Sequence, residues 1–113
     1  MKLHKNCNNE KLLEYGFLKY GTKYIHRITL HRYKKSTVIE MITTVELNNE
    51  EPYITYDVLT NGENYIPYYN NEYSKHNLVL KKVRRKINAE IKKMKESEII
   101  ESEPRKRKNK KER

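Results

Sequence analysis

The period of the hydrophobic pattern changes partway along this chain, and that change restricts the fold class. Between Val38 and Leu47, the residues Ile39, Met41, Val45 and Leu47 fall on one side of an extended chain and Glu40, Thr44 and Glu46 on the other. This period of two lays one strand face on a core and leaves the other wet. Further on, His76, Leu80, Val83, Ile87, Ile91 and Met94 recur at steps of three and four, the period of one helical stripe. At about 100° per residue the stripe covers about 80° of the helix circumference. A half-wet sheet and a striped helix each need an apolar surface to pack on, and each supplies it to the other.

The expected fold is therefore α+β: a short N-terminal helix, an antiparallel sheet of about four strands, and a long amphipathic basic helix packed on one sheet face. With 113 residues, 35% of them apolar and 35% charged, there is material for one domain with a thin core in which tyrosine, present ten times, replaces larger apolar residues. Asn9 is the expected cap of a helix through Tyr15, and Gly16 its end. Lys23 to Tyr33 reads as a strand with Tyr24, Ile28 and Leu30 on one face, and Lys34 to Ser36 as the turn into the next. Tyr53 to Thr60 reads as another, carrying Ile54, Tyr56 and Val58 inward.

Asn61-Gly62 marks a two-residue hairpin, because both central positions of a type I′ turn need positive φ. That register sets Val58 opposite Tyr65, Tyr56 opposite Pro67 and Ile54 opposite Tyr69. Pro67 has no N–H for the ladder, so the last strand should be short or lie at the edge. Ser74 or Asn77 can cap the long helix. The spacing predicts a packed body over residues 1–97 and a flexible charged tail over 98–113, since residues 104–113 contain nothing apolar to bury.

The formal net charge is +10, and its placement is uneven. Residues 1–73 carry equal numbers of basic and acidic side chains, residues 74–96 carry +7, residues 97–103 carry −3, and residues 104–113 carry +6. An A/T-rich genome would raise the lysine content of the whole chain, but it would not segregate it. Segregated positive charge is the electrostatic footprint of polyanion binding. On the helical wheel Lys81, Lys82, Arg85, Lys86, Lys92 and Lys93 lie opposite the apolar stripe, with Arg84 and Lys95 flanking. Lys81 with Arg85, and Lys82 with Lys86, are like-charge pairs that cost a few tenths of a kcal/mol each in an isolated helix. An external anion relieves that cost. In the tail, Arg105, Lys106, Arg107 and Lys108 have the composition of a nuclear localisation signal or of a phosphate-binding arm.

Tyr65, Tyr68, Tyr69 and Tyr73 precede the basic helix. Neighbouring strand positions face opposite ways, so Tyr68 and Tyr69 cannot both be core, and Tyr68, Tyr69 or Tyr73 is a candidate for base stacking.

Catalytic chemistry has little to build on. The one cysteine, Cys7, allows neither an internal disulfide nor a thiolate zinc site, and points to a reducing cytoplasm. The first ten residues lack a signal peptide's apolar stretch, and no apolar run reaches the eighteen residues of a membrane span. The expectation is thus a cytoplasmic chain that engages no membrane. Asp57 is the only aspartate, and Glu40, Glu46, Glu50, Glu51 and Glu63 show no spacing that pairs carboxylates on a metal, so no cofactor or metal is expected. His26 and His31, five apart on a strand, should face opposite ways. There is no glycine-rich phosphate loop. A metal-free RNA-cleaving toxin would have Arg85, Lys86, Tyr69 and His76 as its clustered candidates.

The stretches Leu13-Glu14-Tyr15-Gly16-Phe17, Ile54-Thr55-Tyr56-Asp57-Val58 and Tyr68-Tyr69-Asn70 through Lys86 resemble small uncharacterised proteins carried by phages of A/T-rich Gram-positive bacteria, over about residues 10 to 96. The resemblance implies a phage accessory role, either in handling nucleic acid or in inhibiting a host defence complex in the manner of anti-CRISPR proteins. An inhibitor of this charge would grip guide RNA or an acidic protein face. From the residues themselves, the expected partner is nucleic acid or a nucleoprotein complex; the resemblance adds a nuclease loaded with guide RNA as such a complex. No enzymatic activity is expected.

Overall fold

The computed structural model describes residues 1–34, 36–70 and 77–102. It is an α+β fold: helix α1 (Asn9–Tyr15), strands β1 (Leu18–Tyr20), β2 (Lys23–Lys34), β3 (Thr37–Glu46), β4 (Tyr53–Thr60) and β5 (Glu63–Asn64), helix α2 (Ile66–Tyr69) and helix α3 (Leu78–Glu96). The strands form one antiparallel sheet in sequence order, so every connection is local. No helix among the described residues is long and apolar enough to cross a membrane.

The sheet has five strands where about four were expected. The extra one, β1, joins β2 through Gly21-Thr22 and pairs Leu18 with Ile25 and Tyr20 with Lys23. All three of its residues are exposed, so it carries no burial pattern to read. In β3, Ile39, Met41, Thr43 and Val45 alternate with half-buried residues, as the period of two predicts. In β2 the register slips between Thr29 and His31. This bulge puts His31 opposite the core residue Ile39. Directly opposed residues share a face, so His31 returns to the core side, and the expectation that five residues separate it from His26 by a face is corrected.

Asn8, not Asn9, caps α1, accepting the Lys11 N–H at 2.9 Å. The side chain of Asn9 is instead engaged by the hydroxyl of Tyr24. At the other end Gly16 adopts φ 122°, and the N–H of Phe17 returns to the Leu12 carbonyl at 2.9 Å. Leu12 and Phe17 are both buried. The hydrophobic contact that accompanies a Schellman motif thus seats the helix on the core.

The Asn61-Gly62 turn forms with both residues at positive φ and pairs Thr60 with Glu63 and Leu59 with Asn64. The Tyr65 N–H reaches the Val58 carbonyl at 2.9 Å. There the ladder stops, and the expected pairs Tyr56–Pro67 and Ile54–Tyr69 do not form. Pro67 occupies the first turn of α2, where its missing N–H costs nothing. Tyr69 then reaches back so that its hydroxyl accepts the Val58 N–H at 2.8 Å, a side chain standing in for a strand.

Asn77 caps α3 by accepting the Leu80 N–H at 2.9 Å. Leu80, Val83, Ile87 and Met94 are buried in a single cluster with Leu12, Phe17, Tyr24, Leu30, Ile39, Met41, Val45, Ile54 and Val58. The body does not end at Ser97. Glu98 takes φ 61°, the N–H of Ile99 bonds the Met94 carbonyl at 2.8 Å, and that of Glu98 bonds the Lys95 carbonyl at 3.1 Å. This second Schellman closure reverses the chain and buries Ile99 and Ile100, at 0% and 1% exposure. Ile100 pairs with Leu3, flanked by His4 N–H to Ile99 carbonyl at 3.0 Å and Glu101 N–H to Lys2 carbonyl at 2.9 Å. The boundary expected after residue 97 is therefore moved to about residue 102. Residues 103–113, with Arg105, Lys106, Arg107 and Lys108, lie outside the described residues, as do Tyr73, Ser74 and His76.

Candidate nucleic-acid interface

Helix α3 carries the cations in one array. Lys81, Lys82, Arg84, Arg85, Lys86, Lys92 and Lys93 are all exposed, Arg84 flanking the buried stripe and the others on the side away from it. At 1.5 Å per residue, Lys81 and Lys93 stand about 18 Å apart along the axis. The ion pairs among the described residues are Lys11 with Glu98 and Arg27 with Glu40, and His26 approaches Glu90, so none involves a cation of this array. Lys93 has a different contact, its ammonium 5.8 Å from the ring centre of Tyr15. The chain leaves the described body at Ser102, in a surface depression that Ser102 shares with Lys95 of α3.

The carboxylate that could neutralise this surface is turned inward. Glu90 is only 6% exposed and accepts a hydrogen bond from the Tyr15 hydroxyl. Its Oε2 lies 3.7 Å from His26 Nδ1, a distance too long for a hydrogen bond. His26 packs against the rings of Tyr15 and Phe17, with centroids 5.1 Å away in each case, and those two rings are 5.7 Å from each other. Burial is the main cause that lowers the imidazole pKa below its ordinary value; the Glu90 carboxylate opposes the shift and Lys93 adds to it. Burial, then the hydrogen bond to Glu90 and the charge of Glu90, push the Tyr15 hydroxyl far upward. Tyr15 is thus a donor that holds Glu90 and not a titrating acid. Helix α1 and helix α3 are tied together at this point.

Sequence reasoning missed Glu90. It lies at about 280° when Leu80 is set at 0°, some 20° from Val83, so the wheel already placed it on the rim of the apolar stripe. Its partners Tyr15 and His26 are distant in sequence and gave no local signal.

The tyrosines are placed differently from the strand expectation. Tyr68 and Tyr69 sit on α2, their rings perpendicular with centroids 5.2 Å apart. The Tyr68 hydroxyl pairs with that of Tyr56, and the Tyr69 hydroxyl is engaged by Val58 N–H. Tyr69 still leaves 48% of its surface exposed, whereas Tyr68 is half-buried. Of the clustered candidates for a metal-free nuclease, Arg85 and Lys86 lie on α3, Tyr69 lies on α2, and His76 falls outside the described residues. Among the described residues no group of three or more His, Cys, Asp or Glu side chains could hold a metal ion. No family model, no curated protein and no solved structure matches this chain.

Proposed function

We propose that this protein binds nucleic acid, free or within a nucleoprotein, through phosphate contacts made by α3. The observation that carries the reading is the exposed, unneutralised array from Lys81 to Lys93 on a helix whose internal acid, Glu90, is buried. Lysine and arginine that displace condensed counterions supply most sequence-independent affinity for nucleic acid. If six of the seven cations meet phosphates of a duplex, log K should fall against log salt with a slope of about −5, which is about a thousandfold between 50 and 200 mM. Arg105, Lys106, Arg107 and Lys108, which follow Ser102 in sequence, supply further cations of the same kind.

The test is a pair of double charge reversals measured by fluorescence anisotropy on a labelled two-turn duplex across a salt series. Lys82→Glu with Arg85→Glu should weaken binding at least about tenfold and flatten the slope by about two, one for each lost contact. Lys19→Glu with Lys23→Glu changes net charge equally on the β1–β2 hairpin and should change affinity far less. Equal loss in the two proteins would mean that net charge alone attracts the ligand, and the array would have no special role.

A further inference from the structure

We infer that the ligand seat on α3 is built for the major groove of B-form DNA, an inference that rests on the phosphate-binding reading and adds which duplex is bound and how. Apart from Arg84 and Lys95, which flank the apolar stripe, the cations of α3 are sorted by chemistry around the helix. With Leu80 at 0°, Lys81 and Lys92 fall at about 100° to 120°, and Lys82, Lys93 and Lys86 at about 200° to 240°. Between these shoulders, at about 140° to 180°, run Leu78, Arg85 and Ala89. Every shoulder position carries lysine, and the one cation on the crest is arginine.

The two cations are suited to different targets. An ammonium is a mobile point charge that serves phosphate without fixed geometry, whereas a guanidinium presents a rigid fork. That fork matches guanine O6 and N7 on the floor of the major groove, and small or apolar side chains such as Ala89 and Leu78 pack on thymine methyl groups there. The shoulder lysines then face the two phosphate walls. Leu78 is 71% exposed, which for a lone surface leucine is ordinary, but here it continues the crest of Arg85 and Ala89 in a single line.

Shape agrees with this seat. A helix with its side chains is about 10–12 Å across, and the B-form major groove is about 12 Å wide. The A-form RNA major groove is too deep and narrow for side chains to read. The body is only 22 Å in its shortest dimension, the thickness of a sheet and one helix layer. Its other helices, α1 and α2, have seven and four residues, so among the described residues α3, with nineteen, is the helix long enough to follow a groove. From Lys81 to Lys92 its outward positions are exposed, and Lys93, at the end of the array, stands over the Tyr15 ring of α1. Glu96 occupies the crest angle at the far end, about 16 Å beyond Arg85, where its charge would repel phosphate. The inserted part therefore runs from Leu78 to Ala89, about 16 Å, or about five base pairs at 3.4 Å each.

The experiment measures the full chain by anisotropy on three duplexes of one sequence: plain DNA, DNA in which every cytosine is glucosylated 5-hydroxymethylcytosine, and RNA. Glucosylation leaves the phosphates intact and fills the major groove. Plain DNA should bind about tenfold or more tighter than either other duplex. Arg85→Gln and Lys86→Gln remove the same charge from exposed positions; on plain DNA the first should cost about tenfold more than the second, and on glucosylated DNA the two should cost the same. Equal affinity for plain and glucosylated DNA, whatever RNA does, overturns the groove inference while leaving phosphate binding intact. Failure of all three duplexes to bind at low salt removes both readings.

Discussion

Ending the chain at Ser97 should unfold it, although Ile99 and Ile100 are the only apolar residues that follow. The perturbation removes Ile99 and Ile100, which are 0% and 1% exposed, together with their pairing to Leu3 and the Lys11–Glu98 ion pair. Truncating a buried isoleucine to alanine costs about 2–5 kcal/mol, so losing both costs about 4–10 kcal/mol. A body of this size has about 5–15 kcal/mol in total. A chain ending at Ser102 keeps both isoleucines and should melt within a few degrees of the full protein, because residues 103–113 bring nothing apolar to bury. Circular dichroism melts of the two truncations and of the full-length variant Ile99→Ala with Ile100→Ala separate packing from loss of charge. At about 4–8 °C per kcal/mol, the double variant should melt at least about 16 °C lower. A cooperative melt of the Ser97 truncation near that of the full protein would refute the assignment of these two residues to the core.

Acid should destabilise the fold through His26. Its pKa is lowered in the folded state from the ordinary 6.5, so the unfolded chain binds a proton that the native one refuses. Stability is complete above that value and declines as pH falls below it, and His26→Phe should flatten the decline in melts taken from neutral pH to pH 5, because a phenyl ring packs against Tyr15 and Phe17 without titrating. At the end of α3, Glu98→Gly should leave the melting temperature unchanged or raise it. Left-handed backbone costs a non-glycine residue about 1–2 kcal/mol, and the Lys11–Glu98 ion pair is solvent-screened and contributes little against that. A clear fall on substitution would show the ion pair to be the stronger of the two.

How far the fold could be read depended on whether the determining contact was local. The alternation in β3, the stripe in α3 and the Asn61-Gly62 turn express themselves within a few residues, and each element appears where its pattern lies. The strand β1 has no buried face of its own and exists because β2 offers it an edge. Tyr65 to Tyr69 has the composition of a strand, but Pro67 cannot donate to the ladder, and the Tyr69 hydroxyl satisfies the Val58 N–H that a strand would have met. Ile99 and Ile100 were hidden in a run of glutamates and serines because the reversal that buries them uses Glu98 at positive φ, where a glycine would have announced it. In the candidate interface the cations of α3 were legible from their period. The inward turn of Glu90 depends on Tyr15, whose approach is a property of the whole fold.

That inward turn gives the basic face its meaning. Lys86 and Glu90 are separated by four residues and by about 40° on the wheel, so an outward Glu90 would lie within reach of Lys86 and relieve the crowding of Lys82 with Lys86. The folded protein forgoes that pairing. It holds the carboxylate at 6% exposure against Tyr15 and leaves the like-charge pairs Lys81–Arg85 and Lys82–Lys86 facing water. Each pair costs a few tenths of a kcal/mol in isolation, a sum that the core contacts of α3 easily outweigh. Between Lys81 and Lys93 no acid of the helix therefore faces water, and on the proposed reading phosphates would supply the counter-charge that this stretch lacks.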